Sequence, residues 1–134
     1  MIGLDTNVLV RILTRDDPRQ FAAASRYIAN SCTAESPAFI NRIVVVEVVW
    51  VLENAYDEYT RDQIADAIAG VLNTAEFTVE DGISIRSVLG DYRSGADFAD
   101  ALIATINAKQ GCTKTATFDK VARKKFEHFT DVTA

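Results

Sequence analysis

Apolar and polar positions alternate along this chain on two periods, one of strands and one of helices. Ile2, Gly3 and Leu4 run from the N-terminus into Asp5 and predict a short buried strand ending in a carboxylate. The polar Thr6 and Asn7 turn the chain before a second apolar group, Val8 to Val10. Asp16-Asp17-Pro18 reads as a helix start, with Asp at the cap and Pro in the first turn. Behind it Phe21, Ala24, Tyr27 and Ile28 recur at helical spacing. Pro37 to Ile40 predicts a second strand, and Asn41 a helix cap. Thr60 and Gln63 are spaced for a capping box, followed by a stripe of Ile64, Ala67, Ile68, Val71 and Leu72. Phe77 to Val79 predicts a third strand. Asp81 stands where it would cap a helix bearing Ile85, Val88, Leu89 and Tyr92. Gly95 ends that helix, Asp97 starts the next, and Gly111 closes it. Thr113 to Phe118 predicts a fourth strand with Asp119 at its carboxyl end. Lys120 to Lys125 reads as a short basic helix, and Phe129 to Val132 as a last strand.

One run is ambiguous on these criteria. IVVVEVVWVL, Ile43 to Leu52, is rich in β-branched residues, and by propensity alone it leans to a strand. Its length, and its continuation to Tyr56, favours a buried helix. Either way Glu47 is a lone carboxylate in an apolar run and needs a partner. Strands alternating with helices predict an α/β fold, a parallel sheet covered by helices on both faces.

The 134 residues suit one domain with a single core, residues 1–134. About half are apolar and a quarter charged, an ordinary globular balance. The apolar run broken by Glu47 is too short to span a membrane. No basic segment followed by an apolar stretch opens the chain, which predicts a cytoplasmic protein. Cys32 and Cys112 form no CxxC pattern and are expected to be two buried free thiols. The net charge of −5 argues against nucleic-acid binding through global charge. It leaves open a nuclease whose acids are gathered at a metal site.

The acids have that distribution. Asp5 and Asp119 each end a predicted strand, and parallel strands bring their carboxyl ends to one edge, where α/β sheets place ligands. The other reading of Asp5 is a helix cap. Asp97 and Asp100 lie three apart at one helix start. Asp97 could serve only as a cap, and Asp100 only in a surface ion pair. Carboxylates gathered at one place repel unless a cation sits among them. Oxygen ligands without His or Cys select hard ions, Mg²⁺ or Mn²⁺. Such ions hydrolyse phosphodiesters by polarising the phosphorus centre and activating water.

The segments LDTNVLVR, FINRIVVVEVVWVL, GADFADALIA and ATFDK together resemble the PIN-domain proteins, and more narrowly the VapC toxins of toxin–antitoxin pairs. The resemblance covers essentially the whole chain. It implies a three-layer α/β/α fold and a metal-dependent endoribonuclease. Its acidic positions fall on Asp5, Glu47, Asp100 and Asp119, with Asp97 as an additional acid. Asp5, Asp100 and Asp119 would hold the metal, with Thr6, Asn7 and Thr117 in support. It also implies a helix, not a strand, for the valine-rich run. Family members are usually dimers, held inactive by a VapB-like antitoxin whose C-terminal segment lies across the acidic pocket. RNA phosphates would be met by the basic residues beside the acids, Arg11 and Arg15 after Asp5, and Lys114, Lys120, Arg123, Lys124 and Lys125 around Asp119. The plainer reading of these cations is a solvated helix face.

Other chemistries fit less well. A phosphatase of the haloacid-dehalogenase type needs an acid two residues after the first Asp, where this chain has Asn7. A receiver domain would carry acids on its first three strands. His128 is the only histidine and no GxSxG elbow exists, which leaves a Ser-His-Asp hydrolase unsupported; His128 is expected at the surface. A degenerate domain that only binds a partner protein is the non-enzymatic alternative.

Overall fold

The computed structural model describes residues 1–133. Backbone packing divides the chain into two compact units, Met1–Gly82 and the remainder from Ile83.

In the first unit the chain enters as β1 (Ile2–Gly3) and turns at Asp5 into α1 (Thr6–Thr14). β1 is not the buried strand expected. Ile2 is half-buried and Gly3 exposed, and only Leu4 is fully covered. Asp17 caps α2 (Pro18–Ser31), its side chain accepting from Gln20 N, with Pro18 where a missing N–H costs nothing. The predicted stripe of α2 is only half-buried, and Tyr27 is exposed. β2 (Ala38–Ile40) leads to Asn41, whose Oδ1 accepts from Val44 N at 2.9 Å.

That cap opens α3 (Arg42–Asn54), so the valine-rich run is a helix and the strand propensity is overridden. The reason lies in burial. Val44, Val45, Val48, Val49 and Leu52 are buried, a helical stripe that no strand could bury on one face, while Ile43, Glu47 and Trp50 point outward. Thr60 and Gln63 form the predicted capping box at α4 (Arg61–Leu72). Thr60→Ala should therefore cost about 1 kcal/mol in thermal or urea unfolding, the usual worth of such a cap. β3 (Phe77–Val79) completes a parallel sheet of order β1-β2-β3, with Ile2 opposite Ala38 and Ala38 opposite Phe77. Leu9 and Ile40, both 0% exposed, lie at its core. Each such side chain contributes about 1.5–3 kcal/mol by leaving water.

Asp81 departs from its expected role. Its φ of 54° is left-handed rather than the extended backbone of a cap, and its carboxylate lies 3.7 Å from the Arg42 guanidinium.

The second unit begins one residue into α5 (Gly82–Arg93), of which Ile85, Val88, Leu89 and Tyr92 are buried. Gly95, at φ 108°, makes the turn into α6 (Phe98–Lys109). β4 (Thr115–Thr117), α7 (Lys120–Lys125) and β5 (Phe129–Asp131) form a strand–helix–strand unit whose two strands pair in parallel. Ala104, Ala122 and Phe129 pack beneath it with Phe126 against them. Cys32 is buried as expected, but Cys112 is exposed, because it follows the turn at Gly111 rather than lying in an element. His128 also differs from expectation. It is half-buried, and its Nε2 is buried without a hydrogen-bond partner. The fold is α/β, helices with parallel strands, consistent with the three-layer α/β/α arrangement. No helix among the described residues is long and apolar enough to cross a membrane.

Candidate active site

Asp5 lies just past the carboxyl end of β1 and caps α1, its Oδ1 accepting from Val8 N at 3.0 Å. The cap uses one oxygen of an exposed carboxylate, so capping and ligation are compatible roles. Thr6 Oγ1 donates to Glu47 Oε2 at 2.9 Å. Thr6 is thus the partner that the lone Glu47 required, and the bond fixes the carboxylate of α3 to the start of α1. Beside Asp5 opens a cavity of about 290 Å³, lined by Asn7, Val8 and Arg11 and by Gln20, Ala23 and Ala24 of α2.

Arg11 is committed to the fold at the rim of that cavity. Its Nε donates to Gln20 Oε1 at 2.6 Å, and its Nη1 reaches Asp16 Oδ1 at 3.2 Å and the Tyr56 hydroxyl at 3.3 Å. The Tyr56 hydroxyl in turn donates to Asp16 Oδ2 at 2.6 Å. That bond, then one from Thr14 and the charge of Arg11, hold the Asp16 carboxyl below its ordinary range. Arg15 closes α1 in a left-handed turn, with its guanidinium 4.7 Å above the Phe21 ring.

In the second unit Asp97 caps α6, its Oδ2 accepting from Asp100 N at 2.9 Å. Asp119 caps α7, its Oδ1 accepting from Val121 N at 2.8 Å and from Ala122 N at 3.2 Å. Thr117 Oγ1 accepts from Asp119 N at 2.9 Å, which fixes the corner. Asp100 is half-buried, and its carboxylate makes no hydrogen bond or ion pair among the described residues. Burial pushes its carboxyl above the ordinary range, helped by the charges of Asp97 and then Asp119. Asp97 and Asp119 thus both act on Asp100.

The expected basic cluster divides into two classes. Lys114 Nζ donates to Glu127 O, Arg123 pairs with Asp131 at 2.6 Å, and Lys125 Nζ donates to Gly95 O. Lys120 and Lys124 are exposed and have no such partner among the described residues. The contact at Gly95 makes a prediction. A Cβ there would lie 3.2 Å from Lys125 Nζ, on backbone that L side chains rarely adopt. Gly95→Ala should lower stability by about 1 kcal/mol in chemical denaturation.

The PIN domain family model matches residues 2–127. The chain belongs to the PIN domain family. PIN domains are generally nucleases and use divalent metal ions. A search among curated proteins gives no match.

The donors of this PIN domain suit such an ion in kind. They are carboxylate and hydroxyl oxygens, the ligands of a hard cation. Asp5, Asp97 and Asp119 each spend one oxygen on a cap. The half-buried Asp100 carries a charge that burial and two neighbouring acids disfavour, which a cation would relieve. Among the described residues no three His, Cys, Asp or Glu side chains stand together as a ready-made ligand set. Mg²⁺ does not require one, since it takes one or two carboxylates and keeps its waters.

Two features of this PIN domain escaped the sequence. The Arg11–Asp16–Tyr56 network joins residues forty positions apart, and no local pattern announces it. The exposure of Phe118 and Trp50, 77% and 62%, runs against the rule that apolar runs are buried.

Proposed function

We propose that this PIN domain, residues 1–134 as one domain, is a Mg²⁺- or Mn²⁺-dependent endoribonuclease and the toxin of a VapBC-type toxin–antitoxin pair. The observation that carries the reading is Asp100, a half-buried carboxylate without a partner whose charge is opposed by Asp97 and Asp119. A structural Asp would have an ion pair or a cap to form. This one has neither among the described residues.

Asp5, Asp100 and Asp119 would hold the cation, with Glu47 and Asp97 completing the site. When bound, the ion supplies charge to polarise the phosphodiester and to activate water. The chain's own residues orient and exchange protons. Glu47, with Oε2 held by Thr6, is oriented to accept a proton at Oε1. Thr117 fixes the backbone that aims Asp119. Asn7 lines the cavity beside Asp5 and offers an amide to the substrate. Lys120 and Lys124 would supply charge for RNA phosphates, with Lys114 and Arg123 near them in sequence and Arg11 and Arg15 near Asp5. Arg11 does so only by leaving Gln20 and Asp16, and Arg123 only by leaving Asp131.

As a toxin the chain would form a homodimer and be held in check by a small antitoxin. That partner would place an Arg at the acids, since a guanidinium fork matches carboxylates. The reading is tested by incubating the purified chain with single-stranded RNA in Mg²⁺, in Mn²⁺ and in EDTA. Internal cleavage in the metal buffers, abolished by EDTA, is expected. Cleavage that survives EDTA, or intact RNA in every buffer, would leave the protein-binding alternative. Expression without slowed growth, and with no small protein co-purifying, would remove the toxin role alone.

A further inference from the structure

Phe118 is the most exposed aromatic side chain among the described residues, at 77%. It occupies the corner between β4 and α7, directly before Asp119. That corner is rigid. Thr117 Oγ1 accepts from Asp119 N, Thr117 O accepts from Val132 N, and the Asp119 carboxylate holds the first N–H groups of α7. A side chain on such a corner leaves from a fixed backbone, so the backbone has little entropy to lose on contact. The ring gains no burial from the fold and is no part of the cluster formed by Ala104, Ala122, Phe129 and Phe126.

Its surroundings are basic. Val121 is 63% exposed, and Lys120 and Lys124 lie one turn apart on the same side of α7, both exposed. In a chain of net charge −5 this is a local reversal of sign. Protein–protein interfaces are depleted in Lys at their cores, which speaks against a protein as the occupant. A bare aromatic ring among lysines is the composition of a platform for single-stranded nucleic acid, where bases stack and cations follow the backbone.

We propose that Phe118 is a stacking platform for one unpaired base of the RNA substrate, with Lys120 and Lys124 holding the adjoining phosphates. The inference rests on the ribonuclease reading and adds to it a residue that sets which nucleotide lies beside Asp119. Stacking tolerates any base, so the platform selects unpaired RNA over duplex rather than one sequence over another.

The test uses full-length chain carrying Asp100→Asn, so that RNA stays intact, and a labelled single-stranded RNA in Mg²⁺. Phe118→Ala and Phe118→Leu should each weaken binding about tenfold, the effect of losing one stacked base, while Phe118→Trp retains it. Lys120→Ala with Lys124→Ala should flatten the salt dependence of binding, which the Phe118 variants leave unchanged. In the double variant Trp50→Phe, Phe118→Trp, the single indole should be quenched when RNA is added. Equal RNA affinity for Phe118→Ala and the Phe118-containing protein would overturn the platform. Loss of a co-purifying protein from Phe118→Ala, with RNA affinity unchanged, would overturn it in favour of a protein-docking role. In either case cleavage by the chain with Asp100 intact would still stand, so the platform can fail without the nuclease. If that chain neither binds nor cleaves RNA, both fall together.

Discussion

Asp100→Asn should reduce metal-dependent RNA cleavage about a hundredfold or more, with the fold intact. The amide keeps the shape of the side chain and removes its charge. Among the described residues the carboxylate accepts no hydrogen bond and forms no ion pair, so its charge serves the fold only weakly, through its place in the first turn of α6. Burial and then the charges of Asp97 and Asp119 oppose its ionised form. The loss should therefore appear in cleavage and not in circular dichroism. A companion substitution acts through orientation. Thr6→Val removes the hydroxyl that donates to Glu47 Oε2 and leaves that carboxylate free to rotate, for an expected loss of about tenfold or more. Single-turnover cleavage across a Mg²⁺ series separates the two, since the residual cleavage of Asp100→Asn should need more Mg²⁺ than the parent, whereas Thr6→Val should keep the parent's metal dependence and lose rate at every concentration. Full activity in Asp100→Asn would remove it from the reaction.

Three of the five acids were legible in the sequence because each sits at a punctuation mark. Asp5, Asp97 and Asp119 all begin helices, and capping residues are where single-sequence patterns are strongest. The same holds for Asn41, the Thr60–Gln63 box, Gly95 and Gly111, which lie where local chemistry put them. The valine-rich run shows the opposite case. Its β-branched composition points to a strand, yet α3 forms because five of its apolar side chains find cover on one helical face. Tertiary burial outweighs a propensity worth a few tenths of a kcal/mol per residue. Asp81 was misread because an Asp before a helix looks like a cap, whereas here it takes a left-handed turn and faces Arg42. Arg11 and Arg15 read as free cations because a sequence does not reveal Tyr56 or Phe21 as their neighbours. Phe118 was hidden within a predicted strand. The strand stops at Thr117 and leaves the ring outside, a boundary that no local pattern marks.

Magnesium should stabilise this protein, and Asp100→Asn should lose much of that response. Asp100 has a folded pKa raised above its unfolded value, chiefly by burial and then by Asp97 and Asp119. The folded state then binds more protons than the unfolded one in that window. Without metal, stability should rise as pH falls from neutral through the raised pKa, the gain being lost again as pH rises through it. Asp16 acts with the opposite sign. Its lowered pKa contributes stability above the ordinary Asp range that is lost only on stronger acidification, below about pH 4. The two windows separate on a pH series of melts. At neutral pH in EDTA, Asp100→Asn should be as stable as the parent or more so, by about 1 kcal/mol at most, since the group is partly solvated and the repulsion is screened. Adding Mg²⁺ to a hundred times its dissociation constant should stabilise the parent by about 2.7 kcal/mol through mass action. The variant, with one ligand neutralised, should gain less at the same concentration. A purely structural Asp100 predicts the reverse on both counts, a lower melting temperature for the variant in EDTA and no shift of either protein with Mg²⁺. Calorimetric melts of the two proteins in EDTA and across a Mg²⁺ series distinguish a ligand carboxylate, held at a cost until a cation arrives, from one that stabilises the helix whose first turn it occupies.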